Sequence, residues 1–122
     1  MSDYQTTTHD RLEVILESIN LIQEWSEGRE TVNDYMSSPG GVMAFNACVM
    51  RLQVIGEHVG KLLADNQKPL ADYPQIPWNA IYSMRNIISH EYANIDEDVI
   101  VSTINDDIAS LKSAIEGLLK KY

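Results

Sequence analysis

The first part of the chain carries apolar residues at the spacing of an amphipathic helix. They recur at intervals of three and four residues and comprise Leu12, Ile15, Ile19 and Ile22. This spacing brings them onto one face of an α-helix. We therefore predict a first helix over about residues 10–27, which Gly28 ends.

A longer helix is predicted in the middle of the chain. Ser38 followed by Pro39 is typical of a helix start, because a serine hydroxyl can cap the first turn and proline fits its first position. The helix is expected to run to about residue 63, with an apolar face made of Ala44, Ala47, Cys48, Leu52, Ile55, Val59 and Leu62. Residues 30–35, between the two helices, predict one or two further helical turns.

The second half of the chain predicts two more helices with breaks between them. Three prolines fall within residues 64–77, which we interpret as a loop. Pro77 can open a helix that carries Trp78 and Ile88, and residues 92–95 form a second break. A last helix is expected over about residues 96–121, because acidic residues at its start and lysines at its end both suit the helix dipole. The predicted fold is an all-α, up-and-down bundle of four main helices plus a short extra helix, in a single domain spanning residues 1–122.

The balance of charges restricts how this chain could meet a nucleic acid. With 9 Lys and Arg against 18 Asp and Glu, the formal net charge is −9 at pH 7. An acidic surface repels a polyanion at long range, so any RNA contact must come from a few cations in a local cleft. The acidity is also compatible with a basic protein partner.

Other features bear on the compartment and on alternative chemistry. No stretch approaches the roughly 20 apolar residues that a membrane-spanning helix needs, and the N-terminal residues lack the basic start and apolar core of a secretory signal. The single cysteine, Cys48, lies on an apolar helix face, so we expect a core residue and no internal disulfide. The histidines are too scattered to predict a metal site. We expect a cytoplasmic protein with no membrane contact, no metal and no cofactor.

The helix after Pro77 ends in a run of candidate catalytic side chains, Arg85-Asn86-Ile87-Ile88-Ser89-His90-Glu91-Tyr92. Arg85 supplies a permanent cation whose planar fork matches phosphate oxygens, and His90 supplies an imidazole, a group suited to proton transfer near neutral pH. Together they could act on a phosphodiester without a metal. On a continuous helix, the five-residue separation of Arg85 and His90 puts them about 140° apart. Either the helix ends near Ser89 and His90 turns back, or the two groups meet across a two-fold axis.

The spacing R-x-x-x-x-H-x-Y resembles the signature of the HEPN superfamily. Trp78 and the upstream run Arg51-Leu52-Gln53-Val54-Ile55-Gly56-Glu57 further resemble the HepT-like toxin family, and the resemblance covers about residues 12–118. It implies a homodimeric endoribonuclease toxin of a HepT/MntA-type toxin–antitoxin pair, with Arg85 and His90 as catalytic residues. In HepT-like systems, an MntA-like nucleotidyltransferase antitoxin attaches AMP to the motif tyrosine, here Tyr92, and silences the toxin.

Each motif residue also has a purely structural interpretation. Arg85 could pack its stem against the core and extend its head to solvent, and His90 could simply suit the dipole at a helix C-terminus. Tyr92 could be a half-buried packing phenol. A polar stripe on the same helix is either a solvated face or the wall of a cleft in which Asn86 orients the imidazole; its members are Asn79, Ser83, Asn86 and His90.

Two other functions are compatible with the same residues. The chain could be a non-catalytic HEPN module that binds a nucleotidyltransferase partner, or a structural dimeric bundle that tolerates changes at Arg85 and His90. Gly56 and Gly60 each cost a helix about 1 kcal/mol relative to Ala. They predict the close approach of another helix, either within the bundle or at the dimer seam.

Overall fold

The computed structural model describes residues 7–122, in which all the regular secondary structure is helical and no strand occurs. The helices are α1 (Thr8–Ser26), α2 (Val32–Met36), α3 (Pro39–Leu63), α4 (Trp78–Glu91), α5 (Glu97–Asp106) and α6 (Ile108–Lys121), and a 3₁₀ turn over Tyr92–Asn94 links α4 to α5. The predicted all-α bundle is confirmed. Among these helices, none combines the length and the apolar character that crossing a membrane needs.

Side-chain caps determine where the first long helices begin. The Thr7 hydroxyl accepts a hydrogen bond from the Asp10 amide, and the Asp10 carboxylate accepts one from the Thr7 amide. This reciprocal capping box starts α1 two residues earlier than its apolar stripe indicates. The predicted cap of α3 is confirmed, because the Ser38 hydroxyl accepts from the Gly41 amide at 3.1 Å.

The core lies around α3, which packs against α1 on one side and α4 on the other, while α6 also packs against α1. The predicted apolar face of α1 is confirmed as buried, and so is that of α3 except at Ala44 and Ala47, which are partly exposed. Side chains with no exposed surface include Leu12, Ile15, Ile19, Ile22, Cys48, Ile55, Val59 and Ile115. The packing of α4 against α3 fixes the helix that carries Arg85 and His90 to the longest helix of the bundle.

The prediction of one last helix over residues 96–121 is wrong, because the chain breaks at Asp107 into α5 and α6. The Thr103 hydroxyl donates to the Val99 carbonyl at 2.8 Å, a kind of bond that bends helices. The Asn105 amide donates to the Glu30 carbonyl, also at 2.8 Å, and so ties the end of α5 to the loop before α2. The bend lets α5 contact α2 while α6 follows α1.

Candidate functional site

Arg85 and His90 lie on one uninterrupted helix. Because α4 runs to Glu91, the interpretation in which the helix ends near Ser89 and His90 turns back is wrong. At 3.6 residues per turn, the two side chains leave the helix axis about 140° apart. A single chain therefore presents Arg85 and His90 on different faces of α4.

Arg85 is held against α3 where the two helices approach most closely. A Cβ atom added at Gly56 would lie 3.0 Å from the Arg85 Cβ and 3.0 Å from the Ile81 carbonyl oxygen. A Cβ atom added at Gly60 would overlap the ring of Tyr82. The predicted close approach at these glycines is confirmed, and the helix that approaches is α4 of the same chain.

The guanidinium of Arg85 has no carboxylate partner among the residues that the structure describes. Within residues 7–122, no Asp or Glu oxygen lies within 4.0 Å of it, although the chain has 18 acidic residues. Arg85 is only partly exposed. A partly buried guanidinium without a counter-ion is well suited to bind an anionic ligand such as a phosphate, which it can contact with two parallel hydrogen bonds.

The other motif side chains reach solvent. His90 and Asn86 are exposed, and 60% of the Tyr92 surface is accessible. This exposure argues against the interpretation of Tyr92 as a packing phenol. The structure has no hydrogen bond between Asn86 and His90 among the residues it describes, and the supporting role of Asn86 stays a prediction.

One side-chain hydrogen bond ties the last turn of α4 to the bundle. Gln53 Nε2 donates to Ser89 Oγ at 2.9 Å, and residues 86–95 make no other side-chain hydrogen bond in the described chain. Sequence reasoning missed both residues. The signal was available in the spacing of Gln53, Gly56 and Gly60, because residues three and four apart share one helix face.

Side chains of the upstream run on α3, residues 51–57, contact two different helices, α4 and α1. In this run, Gln53 and Gly56 face α4, whereas Arg51 donates to the Ser18 hydroxyl of α1 at 3.5 Å. His58, just after the run, lies 3.3 Å from the guanidinium of Arg11 on α1. Burial and the adjacent Arg11 charge lower the pKa of His58, which favours a neutral ring. Only the α4 side of the run belongs to the candidate site.

Other candidate chemistry is weak. No group of three or more His, Cys, Asp or Glu side chains in the described part of the chain could hold a metal ion. Cys48 is fully buried, as predicted, and burial raises the pKa of its thiol to about 11. Because the thiolate is the nucleophilic form, Cys48 is a core residue and not a nucleophile.

An all-helical bundle with an R-x-x-x-x-H-x-Y run at the end of α4 defines an HEPN-type protein. A family model described as ribonuclease HepT-like matches residues 15–118. The chain belongs to this family.

Several proteins are similar to this chain over most of its length. The protein named probable ribonuclease HepT from Thermococcus cleftensis is 35% identical over 112 residues, which cover 91% of this chain and 94% of that protein. A relative from Caldanaerobacter subterraneus, provisionally named an RNase, is 29% identical over 115 residues, which cover 94% of this chain and 96% of the relative. Another provisionally named RNase, from Methanocaldococcus jannaschii, is 28% identical over 84% of this chain and 87% of its own length. No solved structure matches the chain significantly.

Proposed function

We propose that this chain is a metal-independent endoribonuclease and the toxin of a HepT/MntA-type toxin–antitoxin pair in the cytoplasm. The observation that carries the proposal is the partly buried Arg85 guanidinium, which has no carboxylate partner within residues 7–122 and shares its helix with an exposed His90. Membership of the ribonuclease HepT-like family and the ribonuclease names of its relatives support RNA as the substrate.

The proposed reaction uses the 2′-hydroxyl of the RNA as an internal nucleophile. A His90 imidazole accepts the proton of this hydroxyl while its oxygen attacks the adjacent phosphorus. The bond from phosphorus to the 5′-oxygen breaks, and the leaving oxygen takes up a proton. The products are a 2′,3′-cyclic phosphate and a free 5′-hydroxyl. General acid–base catalysis of this kind typically contributes about 10² to 10⁴ in rate, and Arg85 stabilises the negative charge that builds on the phosphoryl oxygens.

The reacting groups meet in a homodimer. Because one chain turns Arg85 and His90 about 140° apart, a two-fold axis can bring Arg85 of one chain beside His90 of the other. The shared cleft then holds two imidazoles, so one can accept the 2′-hydroxyl proton while the other protonates the leaving oxygen. Exposed apolar side chains on α3 and α4 support such an interface, and they include Met43, Met50 and Ile87, which are 70%, 62% and 45% exposed.

The same site offers a route to silencing. Tyr92 lies in the 3₁₀ turn directly after α4 with 60% of its surface exposed, so its hydroxyl is accessible to a partner enzyme. AMP attached there by a nucleotidyltransferase antitoxin would put a negative phosphate near Arg85 and His90 and compete with RNA. The net charge of −9 supports a partner with a basic surface.

RNA cleavage in the presence of a chelator tests the proposal. The chain is purified without a nucleotidyltransferase, its unmodified mass is verified, and it is incubated with RNA and EDTA. We expect cleavage that leaves cyclic phosphate ends and that is lost in Arg85→Ala and His90→Ala. Arg29→Ala and His9→Ala, which remove the same groups elsewhere, should still cleave. Circular dichroism checks that each variant folds. Folded, unmodified wild-type protein that cuts no RNA would contradict the proposal.

A non-catalytic HEPN module that binds a nucleotidyltransferase is the second candidate. The net charge of −9 favours it, because an acidic chain repels RNA at long range. In that case, the wild type and His90→Ala bind the nucleotidyltransferase equally well, and neither cuts RNA.

A further inference from the structure

A cavity of about 280 Å³ lies beside the motif tyrosine, and the proposed reaction does not use it. It opens between α3 and the segment that links α4 to α5. Its lining includes Asn46, Tyr92 and Glu97, and its base is formed by Phe45 and Val49, which are almost wholly buried. We propose that this cavity binds one unpaired nucleobase of the RNA substrate and selects a base with an exocyclic amino group. This inference rests on the proposed function, because it assigns a specificity pocket for that RNA.

The cavity lies just beyond the contact between α3 and α4, at the end of α4. On α3, Gly56 lies against Arg85. Three residues earlier on α3, Gln53 bonds to Ser89, which lies four residues later on α4. The two helices are therefore antiparallel, and one further turn of α3 leads to Val49 at the base of the cavity. An RNA strand with its scissile phosphate at the motif would bring a neighbouring base to this cavity.

The charge of the cavity favours a base over a phosphate. None of the described residues that line it is Lys, Arg or His, whereas Glu97 contributes a carboxylate. A carboxylate repels a phosphate, so the uncharged part of a nucleotide is the part that can enter. Phe45 and Val49 are almost wholly buried, so the lining that a base can reach is mainly polar, and the exposed aromatic ring beside it is that of Tyr92. Pockets for drug-sized ligands begin at roughly 300 Å³. The cavity's volume of about 280 Å³ lies just below this range, so a smaller group such as a single base suits it.

The polar lining can distinguish bases by their hydrogen-bonding groups. As a carboxylate, Glu97 can only accept hydrogen bonds, whereas the Asn46 amide both donates and accepts. Adenine, cytosine and guanine each offer an amino group, and glutamate to cytosine and asparagine to adenine are common recognition pairs. Uracil has no amino group, and where cytosine has its amino group uracil has a carbonyl oxygen, which a carboxylate repels; its single N3–H donor lies between two carbonyl oxygens. The exposed ring of Tyr92 adds a surface on which the base can stack.

Oligoribonucleotides that differ at one position test the pocket through cleavage. The site cut by the wild type is mapped first, and each neighbouring base is then varied. At one position, uracil should lower kcat/KM by roughly tenfold relative to the amino-bearing bases, the effect typical of one base contact. Glu97→Gln, whose amide can donate to uracil, should remove most of this difference. Asp98→Asn is the matched control, since it removes the carboxylate of the next residue of α5, which does not line the cavity.

Binding of uncleavable RNA separates this inference from the proposed function. Labelled 2′-O-methyl oligomers of adenosine, cytidine and uridine lack the nucleophile, and fluorescence anisotropy measures their affinities. We expect roughly tenfold weaker binding of the uridine oligomer, with the difference lost in Glu97→Gln. Asn46→Ala changes an exposed side chain and should weaken binding of the adenosine oligomer. It tests the pocket if Glu97→Gln does not fold. Equal binding of all three oligomers, or an unchanged preference in folded Glu97→Gln, would overturn the pocket. A base preference without any cleavage would contradict the proposed function alone.

Discussion

The side-chain amide of Gln53 donates a 2.9 Å hydrogen bond to the hydroxyl of Ser89, the residue before His90. The bond crosses from α3 to the last turn of α4. On its other side, this turn is anchored by Ile88, which is only 1% exposed. The bond thus links the residue before His90 to the upstream run on α3, although Gln53 and His90 lie 37 positions apart in the chain.

Removing either partner of this bond should slow RNA cleavage. Gln53→Ala and Ser89→Ala should each lower kcat by up to about fivefold, because a lost hydrogen bond is worth about 1 kcal/mol. KM should change little, since neither group is proposed to bind the substrate. The double variant should be no slower than the worse single variant, because both changes remove the same bond.

A side-chain hydrogen bond of another glutamine, far from the motif, provides the control for the Gln53 and Ser89 variants. The Gln23 side chain accepts from Lys112 Nζ at 3.1 Å, far along the chain from the motif. Gln23→Ala should have a similar small effect on the free energy of unfolding and leave kcat unchanged. Additive losses of kcat in the Gln53 and Ser89 double variant would show that the two residues act separately.

Gly56→Ala should damage both stability and cleavage. The new Cβ would meet the Ile81 carbonyl oxygen and the Arg85 Cβ at 3.0 Å, so α4 must shift and carry Arg85 with it. Crowding of this kind in a packed core typically costs about 1–3 kcal/mol, against about 1 kcal/mol gained in helix propensity. We expect a lower free energy of unfolding in urea and a lower kcat.

Gly40→Ala on the same helix is the matched control, because a Cβ there would meet nothing within 4 Å. It should keep full activity and gain up to about 1 kcal/mol of stability, since alanine is the better helix former. If Gly56→Ala were as stable and as active as Gly40→Ala, the close approach would have no role in setting the position of Arg85.

Much of the fold could be predicted from the sequence because local signals agree with the packing. The stripe from Leu12 to Ile22, the Ser38 cap and the prolines of residues 64–77 each produced the expected element. The break at Asp107 could not be predicted in this way. It is accompanied by a bond from the Asn105 side chain to the Glu30 carbonyl, between residues 75 positions apart, and such a contact leaves no periodic trace in the sequence.

The candidate site was predictable as a list of residue types but not as an arrangement. The spacing of Arg85 and His90 indicated the motif, and helix geometry indicated that a continuous helix could not turn both side chains to one phosphate, which left open a helix that ends near Ser89. The pairing of Gln53 with Ser89 and the cavity beside Tyr92 depend on the antiparallel register of α3 and α4. That register is a tertiary property, which only the folded chain reveals.

Cys48 should resist thiol reagents in the folded protein. Its pKa is raised to about 11 by burial, so the thiol stays protonated near neutral pH and little reactive thiolate is present. Labelling with a chromogenic disulfide at pH 7.5 should be slow and should become fast and stoichiometric in guanidinium chloride. Rapid labelling of the folded chain at neutral pH would contradict the burial of Cys48.

Tyr92 should be the residue that a cognate nucleotidyltransferase modifies. Intact-mass analysis after co-expression should show added adenylyl groups, and peptide mapping should place them on Tyr92, whose hydroxyl is exposed beside the motif. Tyr92→Phe should remain toxic to the host and escape neutralisation. Modification of Tyr82 or Tyr73 instead would show that Tyr92 is not the AMP acceptor, even if a nucleotidyltransferase is the partner of this chain.

Mixing two inactive variants tests whether one catalytic cleft is built from both chains of a dimer. Arg85→Ala and His90→Ala dimers each lack one catalytic group in both chains. After subunit exchange, verified by native mass spectrometry, a mixed dimer retains one Arg85 and one His90 on different chains. The mixed dimer keeps only one of the two imidazoles, so a cleft built across the two-fold axis predicts that the mixture regains a small part of the wild-type rate of RNA cleavage. An Arg85→Ala/His90→Ala double variant should restore neither single variant. Verified mixed dimers that stay as inactive as their parents would contradict a shared cleft.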